Sequence, residues 1–315
     1  MKKKVDLRIF CSKMAKVATI IITYNGSYWI KRSLEHLFQS SVTSYLIIVD
    51  NNSTDDTIEI IKPFLEKIEL IQLPSNLGFG GANNIGIQRA LELGYSHIFL
   101  LNQDGYVQKD CISKLLSTSL LSPQFGIISP IQLDATGHAM DPVFQSQVAK
   151  YYAPDTGRLN KELVKEKPSD PIEVRFVGAA AWFLTSELIK KVGLFHPVFF
   201  HYGEDNNFAA RAQYFGFKIG IQVTTAMIHD RKPRKKSKFL PIKLRSFPLH
   251  QLLDIRKPFV LAWVVAYYQM MRTWKKLHKA SGNKHKKQFL EMRKWFFSDL
   301  KKALEIREEM KKGYK

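Results

Sequence analysis

Carboxylates and amides gather in this sequence where short apolar runs end. One run closes on Thr23-Tyr24-Asn25, a second on Asp50-Asn51-Asn52-Ser53-Thr54-Asp55, and a later one on Asn102-Gln103-Asp104. A third run leads into Asn76-Leu77-Gly78-Phe79-Gly80-Gly81-Ala82-Asn83-Asn84. Asp104 with Asn102 makes a poor isolated cation site but an adequate one beside phosphate oxygens, since Mg²⁺ takes one or two carboxylates and keeps several waters. Farther along, Glu204-Asp205 is an adjacent acid pair preceded by the aromatic run Phe199-Phe200-His201-Tyr202. A carboxylate within hydrogen-bond reach of a hydroxyl serves as a general base. Each segment alone also reads as ordinary helix capping, because Asx and Ser favour strand-to-helix turns. The glycines at 78, 80 and 81 are no phosphate-binding Walker loop, as no Gly-Lys-Ser/Thr follows them.

These segments converge only if the elements before them lie side by side. Val17–Thr23, Tyr45–Asp50, Ile68–Leu73 and Ser96–Leu101 are β-branched or apolar runs of strand length. Between them fall helical stretches: one from a Ser27 cap to Phe38, one over Thr54–Glu66 opened by Ser53 to Asp56, and one over Gly80–Leu93. Alternating strands and helices with short links predict an α/β fold, a mostly parallel sheet with helices on both faces. In such sheets ligands sit beyond the carboxyl ends of the strands, where the polar segments fall. Gln132–Ile172 lacks periodicity and reads as a long excursion. Order resumes at Val174–Leu184, with helices expected over Thr185–Val192 and Glu204–Gly216 and a strand over Phe217–Val223.

The chain carries +20 net charge, and its distribution is uneven. From Asp230 to Lys315 there are 25 Lys and Arg against 7 Asp and Glu, a surplus of 18. A near-neutral body, residues 1–230, with a basic, partly amphipathic helical tail, residues 231–315, points to an anionic surface as partner. Eight of those cations fall in Arg231–Arg245. The apolar block Pro258–Met271 spans 14 residues, short of the ~20 that cross a bilayer. Phe289, Leu290, Met292, Trp295, Phe296 and Phe297 among lysines suit an interfacial helix, or a helical cap with a solvated lysine face. Cys11 and Cys111 form no disulfide framework, and charges interrupt the apolar stretch after Met1–Lys4, so a cytoplasmic setting is expected.

In order, TIIITYN, VDNNSTDDT, NLGFGGANNIG, FLLNQD and GEDNNFAARA resemble the motifs of family 2 glycosyltransferases, over about Val17 to Asp230. The set is closest to the branch that builds bacterial surface polysaccharides, which includes many rhamnosyltransferases. The resemblance implies the GT-A fold and transfer of a sugar, rhamnose first among the options, from dTDP-rhamnose or a UDP-sugar. Thr23, Tyr24 and Asn25 then match the segment lining base and ribose. Asp50 matches the carboxylate that bonds the base, with Asn51 beside it and Asp55 in the same wall. Asn76, Gly78, Asn83 and Asn84 match the segment along ribose and diphosphate. Asp104 matches the last acid of the DXD element that holds Mg²⁺ or Mn²⁺, with Asn102 in place of the first acid and Gln103 between them. His229 matches a histidine that many relatives place on the metal. Asp205 matches the catalytic base of an inverting transfer, Glu204 orients the acceptor, and Arg211 is a candidate phosphate contact.

The acceptor implied is a lipid-linked glycan, and the protein is expected as a peripheral one on the inner face of the plasma membrane. A catalytically silent partner that keeps the fold is a second reading, prompted by Asn102. Nucleic acid is a third, prompted only by the tail. Against it, the aromatics cluster in an apolar block instead of spacing along a groove, so no nucleic acid is expected.

Overall fold

A computed structural model describes residues 15–151, 165, 171–231 and 236–313. Cys11, the basic start of the chain, most of the expected excursion beyond residue 151 and Lys232–Lys235 of the basic run lie outside the described residues. The described strands are β1 Val17–Thr23, β2 Tyr45–Asp50, β3 Glu69–Gln72, β4 His97–Asn102, β5 Gly105–Val107, β6 Phe125–Leu133, β7 Ile172–Val174, β8 Ala181–Thr185 and β9 Lys218–His229. The α-helices are α1 Ile30–Phe38, α2 Thr57–Ile61, α3 Gly78–Glu92, α4 Cys111–Leu121, α5 Pro142–Tyr151, α6 Ser186–Val192 and α7 Glu204–Tyr214. The C-terminal helices are α8 Lys236–Leu252, α9 Phe259–Ser281, α10 Lys286–Phe297 and α11 Leu300–Lys311.

Two compact units emerge. The first comprises Met1–Gly78, Ala82–Ile189 and Gly216–Arg231. It holds a sheet of order β3-β2-β1-β4-β8-β6-β9-β5, with β7 also paired to β9. β3, β2, β1 and β4 are parallel, whereas β8 runs antiparallel to both β4 and β6. Alternate residues of each strand serve opposite faces. Ile21, Ile48, Phe99 and Leu101 join Ile30 and Leu34 of α1 and Ile112 and Leu115 of α4 in one buried cluster. Ile20 and Val49 face the other way, toward α3, where a Cβ on Gly86 would lie 2.6 Å from Ile20 Cγ2. Helices therefore cover both faces, as expected. Each buried Ile or Leu contributes ~1.5–3 kcal/mol, so these alternating faces dominate the unit's stability.

Local differences have local causes. Helix α1 begins at Ile30, not Ser27, because Gly26 C=O already accepts from Trp29 and Ile30 N–H at 2.9 and 3.0 Å. The expected Thr54–Glu66 helix shrinks to Thr57–Ile61 plus a 3₁₀ turn at Lys62–Phe64. Pro63 lacks an amide to continue it, and Ser53 and Thr54 N–H are bonded instead to Asp50 Oδ2 and Asn25 Oδ1. Strand β6 runs two residues into the supposed excursion, to Leu133, and inside it Asp141 Oδ1 accepts Phe144 N–H at 2.8 Å to open α5.

The second unit comprises Phe79–Gly81, Lys190–Phe215 and Lys232–Lys315. It has its own core: Leu244, Leu249, Leu252 and Leu253 meet Ala266, Met270, Phe289, Met292, Phe296, Ile306 and Met310. Phe289, Met292 and Phe296, read from sequence as part of an interfacial helix or of a helical cap, belong to a protein core. Buried Arg307 ties this unit together by donating to the carbonyls of Leu252, Asp254 and Lys257. Asp254, also buried, accepts from Arg256 at 2.8 Å and pairs with Lys257 at 3.2 Å. Burial alone would raise the Asp254 carboxyl, but the bonds and charges of Arg256 and Lys257 outweigh it and bring it down to about 2.

That lowered value fixes a sign. The stabilisation is present above the unfolded carboxyl range and is lost as pH falls through about 2. Asp254→Asn should therefore lower stability by about 2 kcal/mol at pH 7. The gap from wild type should narrow between pH ~4 and ~2 in urea melts followed by circular dichroism. A gap constant with pH would contradict the ion-pair account.

Candidate active site

Register brings the polar strand ends together. Thr23 of β1 lies opposite Asp50 of β2, and Ile22 lies opposite Asn102 of β4. The loops beyond are then stitched to one another. Gln103 Oε1 accepts from Thr23 Oγ1 at 2.8 Å and Tyr24 N–H at 2.9 Å. Asn25 N–H donates to Ser53 Oγ at 2.9 Å, and Asn25 and Asn52 take left-handed φ values of 48° and 68°, which asparagine tolerates. Gly26 N–H donates to Thr57 Oγ1 at 2.8 Å. Asp55 accepts from Thr57 and from Ser27 N–H, and those bonds hold its carboxyl below the usual range although its partial burial opposes this.

Buried Asn51 joins the second loop to the third. Its Nδ2 donates to Asn76 Oδ1 at 3.0 Å and its Oδ1 accepts Leu77 N–H at 2.8 Å. Asn76 Oδ1 also accepts Gly78 N–H at 2.8 Å, starting α3. Asn83 is buried and Asn84 half-buried, one and a half turns into that helix. Asn51, Asn76, Gln103 and Asp55, read from sequence as ligand contacts, thus have side-chain oxygens already engaged in holding loops. What they offer a ligand is a fixed contour. Asp50 differs: its Oδ2 accepts Ser53 N–H, while Oδ1 is buried with no partner among the described residues. A buried unpaired carboxylate oxygen is costly unless something donates to it.

At the end of β4, Asp104 Oδ1 lies 3.2 Å from His229 Nε2, and Asn102 Nδ2 lies 3.4 Å from the same nitrogen. The last residue of β9 is brought there because Gly105 pairs with His229 across β5. Adjacent ligands on an octahedral ion at ~2.1 Å lie about 3 Å apart, so Asp104 and His229 fit two positions on a Mg²⁺-sized cation. His229 Nδ1 is buried with no partner among the described residues, so nothing there fixes its tautomer. No group of three or more His, Cys, Asp or Glu gathers among the described residues, so phosphate oxygens and water would complete such a shell. Sequence reading missed the support behind this corner. Tyr106 OH donates to Asp230 Oδ2 at 3.0 Å, with the Arg32 guanidinium 4.3 Å from the Tyr106 ring. Only a three-residue strand marks the spot, too short to stand out by periodicity.

The acid pair belongs to the second unit, at the first turn of α7. Tyr202 and Gly203 before it both have left-handed φ, 65° and 96°. Any Cβ on Gly203 would meet Phe199 Cδ1 at 3.1 Å and Ser246 O at 3.2 Å, and Ser246 Oγ donates to His201 O at 3.2 Å. Glu204 is buried, and that burial, with the neighbouring Asp205 charge, pushes its carboxyl up to about 8. Asp205 is half-buried, and its Oδ1 accepts from Asn206 N–H and Nδ2 at 2.7 and 2.8 Å. Of the aromatic run, Phe199 is buried in the helical core while Phe200 is exposed.

Residues 18–120 match the model of Glycosyl transferase family 2. Over 252 residues the chain is 23% identical to a dTDP-rhamnosyl transferase of Shigella flexneri, covering 78% of this chain and 80% of that one. The chain is a glycosyltransferase, similar to family 2 over residues 18–120. An O-antigen chain rhamnosyltransferase of Salmonella anatum is 32% identical over 107 residues, 33% of each chain. Among solved structures, a mannosyltransferase from Pyrobaculum calidifontis in complex with GDP-Man and Mn²⁺ superposes with a TM-score of 0.57 at 14% identity. That match covers 94% of this chain and 86% of the other, and the shared fold is GT-A.

One site expectation for this glycosyltransferase needs correction. Arg211, expected at a phosphate, is fully buried. Its Nε donates to Asn207 Oδ1 at 3.0 Å, and its two terminal nitrogens donate to Val192 O at 2.7 Å and Leu194 O at 2.6 Å. The guanidinium closes the carbonyl end of α6 onto α7, a structural task that needs its planar fork. Arg211→Lys should therefore cost about 2–3 kcal/mol of stability by orphaning buried carbonyls, with nucleotide affinity retained in the folded fraction. A thermal melt paired with nucleotide titration checks this. Unchanged stability with lost affinity would restore the phosphate role.

Proposed function

We propose that this glycosyltransferase moves a sugar, with inversion, from a nucleoside diphosphate donor onto a lipid-linked glycan in bacterial polysaccharide synthesis. The observation that carries the reading is the asymmetric acid pair: Glu204 buried, its carboxyl pushed up to about 8, with Asp205 half-buried beside it. A single displacement needs one base, not two carboxylates acting in turn. The acceptor hydroxyl oxygen attacks the anomeric carbon as its proton passes to Asp205. The bond from that carbon to the diphosphate breaks, and the electron pair leaves on the phosphate oxygen. Protonated Glu204 donates to the acceptor and orients it, and its neutrality spares Asp205 a second adjacent charge.

On the donor side, Asp50 Oδ1 would accept an N–H of the base, which answers its lack of a partner. Thr23, Tyr24, Asn25 and Asp55 line base and ribose, while Asn76, Gly78, Asn83, Asn84 and Asn102 border the ribose and diphosphate. Asp104 and His229 would hold Mg²⁺ or Mn²⁺, which when bound offsets the negative charge of the leaving diphosphate. A dTDP-linked rhamnose is the favoured donor, supported by the name of the Shigella flexneri relative; a UDP-sugar is the alternative. The basic charge of the C-terminal helices supports a peripheral location on the inner, anionic face of the plasma membrane. No helix among the described residues is long and apolar enough to cross it.

Asp205→Asn should lower transfer ~10²–10⁴-fold while donor affinity stays near wild type, because the base touches only the acceptor. Glu204→Gln, which mimics the protonated acid, should keep most turnover at pH 7. Wild-type turnover should fall as pH rises through about 8, where Glu204 ionises beside Asp205. Rate measurements across pH on both variants decide the assignment. Wild-type turnover by Asp205→Asn would end it.

A further inference from the structure

Most apolar side chains of the C-terminal helices are consumed by their own core, which leaves the exposed remainder to be explained. On α9, Ala262, Ala266, Met270 and Leu277 face that core. The opposite side carries Val260, Leu261, Val264 and Tyr268, exposed at 73, 50, 50 and 66%. At 100° per residue these four fall within an arc of about 100° and run about 12 Å along the helix. On the next turns the same outward side becomes cationic, with Arg272, Lys275, Lys276 and Lys279 all exposed. Phe297 of α10, 52% exposed, sets its ring edge-on to Trp263 and Tyr267 and widens the apolar end.

We infer that this outward face of α9 is a shallow docking surface for an anionic lipid bilayer, with Val260, Leu261, Val264 and Tyr268 entering the headgroup–acyl boundary. Residues 259–297 hold nine Lys and Arg against one acid, Glu291, so the charge around the stripe complements an anionic layer. The stripe lies on one helix face and is bordered by cations, which suits an anionic apolar phase. Interfacial helices bury their apolar side ~5–10 Å deep, a depth that four side chains supply while the lysines reach phosphates. The same compact unit contains Glu204 and Asp205, and α8 is bonded through Ser246 to the loop that precedes them. Docking would thus seat the unit that bears the base at the lipid surface. The inference rests on the membrane placement proposed above and assigns the residues that achieve it.

The test uses the full chain with two kinds of vesicle, phosphatidylcholine alone and equal parts phosphatidylcholine and phosphatidylglycerol. One variant combines Val260→Ser, Leu261→Ser, Val264→Ser and Tyr268→Ser; the other combines Lys275→Gln, Lys276→Gln and Lys279→Gln. All seven positions are exposed, and melting curves verify that both variants fold. Wild type should sediment with the anionic vesicles only. The serine variant should bind them at least about tenfold more weakly, and the glutamine variant on the order of a hundredfold more weakly. Wild-type binding by the serine variant overturns the stripe and leaves the membrane placement standing. Absence of binding by the wild type overturns both. Concentration-dependent dimers lost in the serine variant, without vesicle binding, would assign the face to self-association instead. Donor turnover, read separately, keeps the catalytic reading independent of every outcome.

Discussion

The register of β1 between β2 and β4 is the constraint on which the site depends. It sets Thr23 level with Asp50 and Ile22 level with Asn102. Because a slip by one residue would turn every side chain to the opposite face, the buried alternation that fixes the core also fixes the strand ends. Ile20 and Ile21 illustrate this: one meets α3 and the other the α1–α4 side, so neither can exchange places without losing its layer. The loops then need little further instruction. Gln103 and Asn51 each bridge two of them with short hydrogen bonds, and the contour beyond the sheet becomes rigid.

Against that stapled background, the polar atoms left without partners stand out. Asp50 Oδ1, His229 Nδ1 and Glu204 Oε2 are all buried and unpaired among the described residues. A protein that satisfies Asn51, Asn76 and Asp55 so fully has no difficulty satisfying carboxylates, so exceptions call for a functional account. Glu204 removes most of its cost by staying protonated. For Asp50, an N–H of a bound base would meet that cost under the proposed function; a cation on His229 Nε2 would leave Nδ1 unchanged. Amides thus build the frame, while Asp50 and Glu204 each keep a buried carboxyl oxygen with no partner among the described residues.

Much of this was legible in the sequence because strand ends in parallel sheets carry function by geometry. The runs ending in Thr23, Asp50 and Asn102 are β-branched or apolar and short, and they mark their own boundaries. Less legible was which polar residue faces a ligand and which faces another loop, since Asn25, Asn51 and Gln103 look alike as letters. Arg211 misled for the same reason, its place on the α7 helix saying nothing of the Val192 and Leu194 carbonyls it closes. The three-residue β5, which aligns His229 with Gly105, has too few residues for a period. In the tail, lysine density left open whether Phe289, Met292 and Phe296 face a membrane or a protein core, and they join a core.

The central claim is that the strand ends form a nucleoside diphosphate site completed by a cation at Asp104 and His229. Titration calorimetry of thymidine and uridine diphosphates into the full chain, with Mn²⁺ and with EDTA, tests it most directly. The account predicts one saturable site, strengthened by Mn²⁺, with that metal dependence abolished in Asp104→Ala while the fold persists. Binding that is indifferent to Mn²⁺ and to Asp104→Ala, or no binding of either nucleotide, would contradict it.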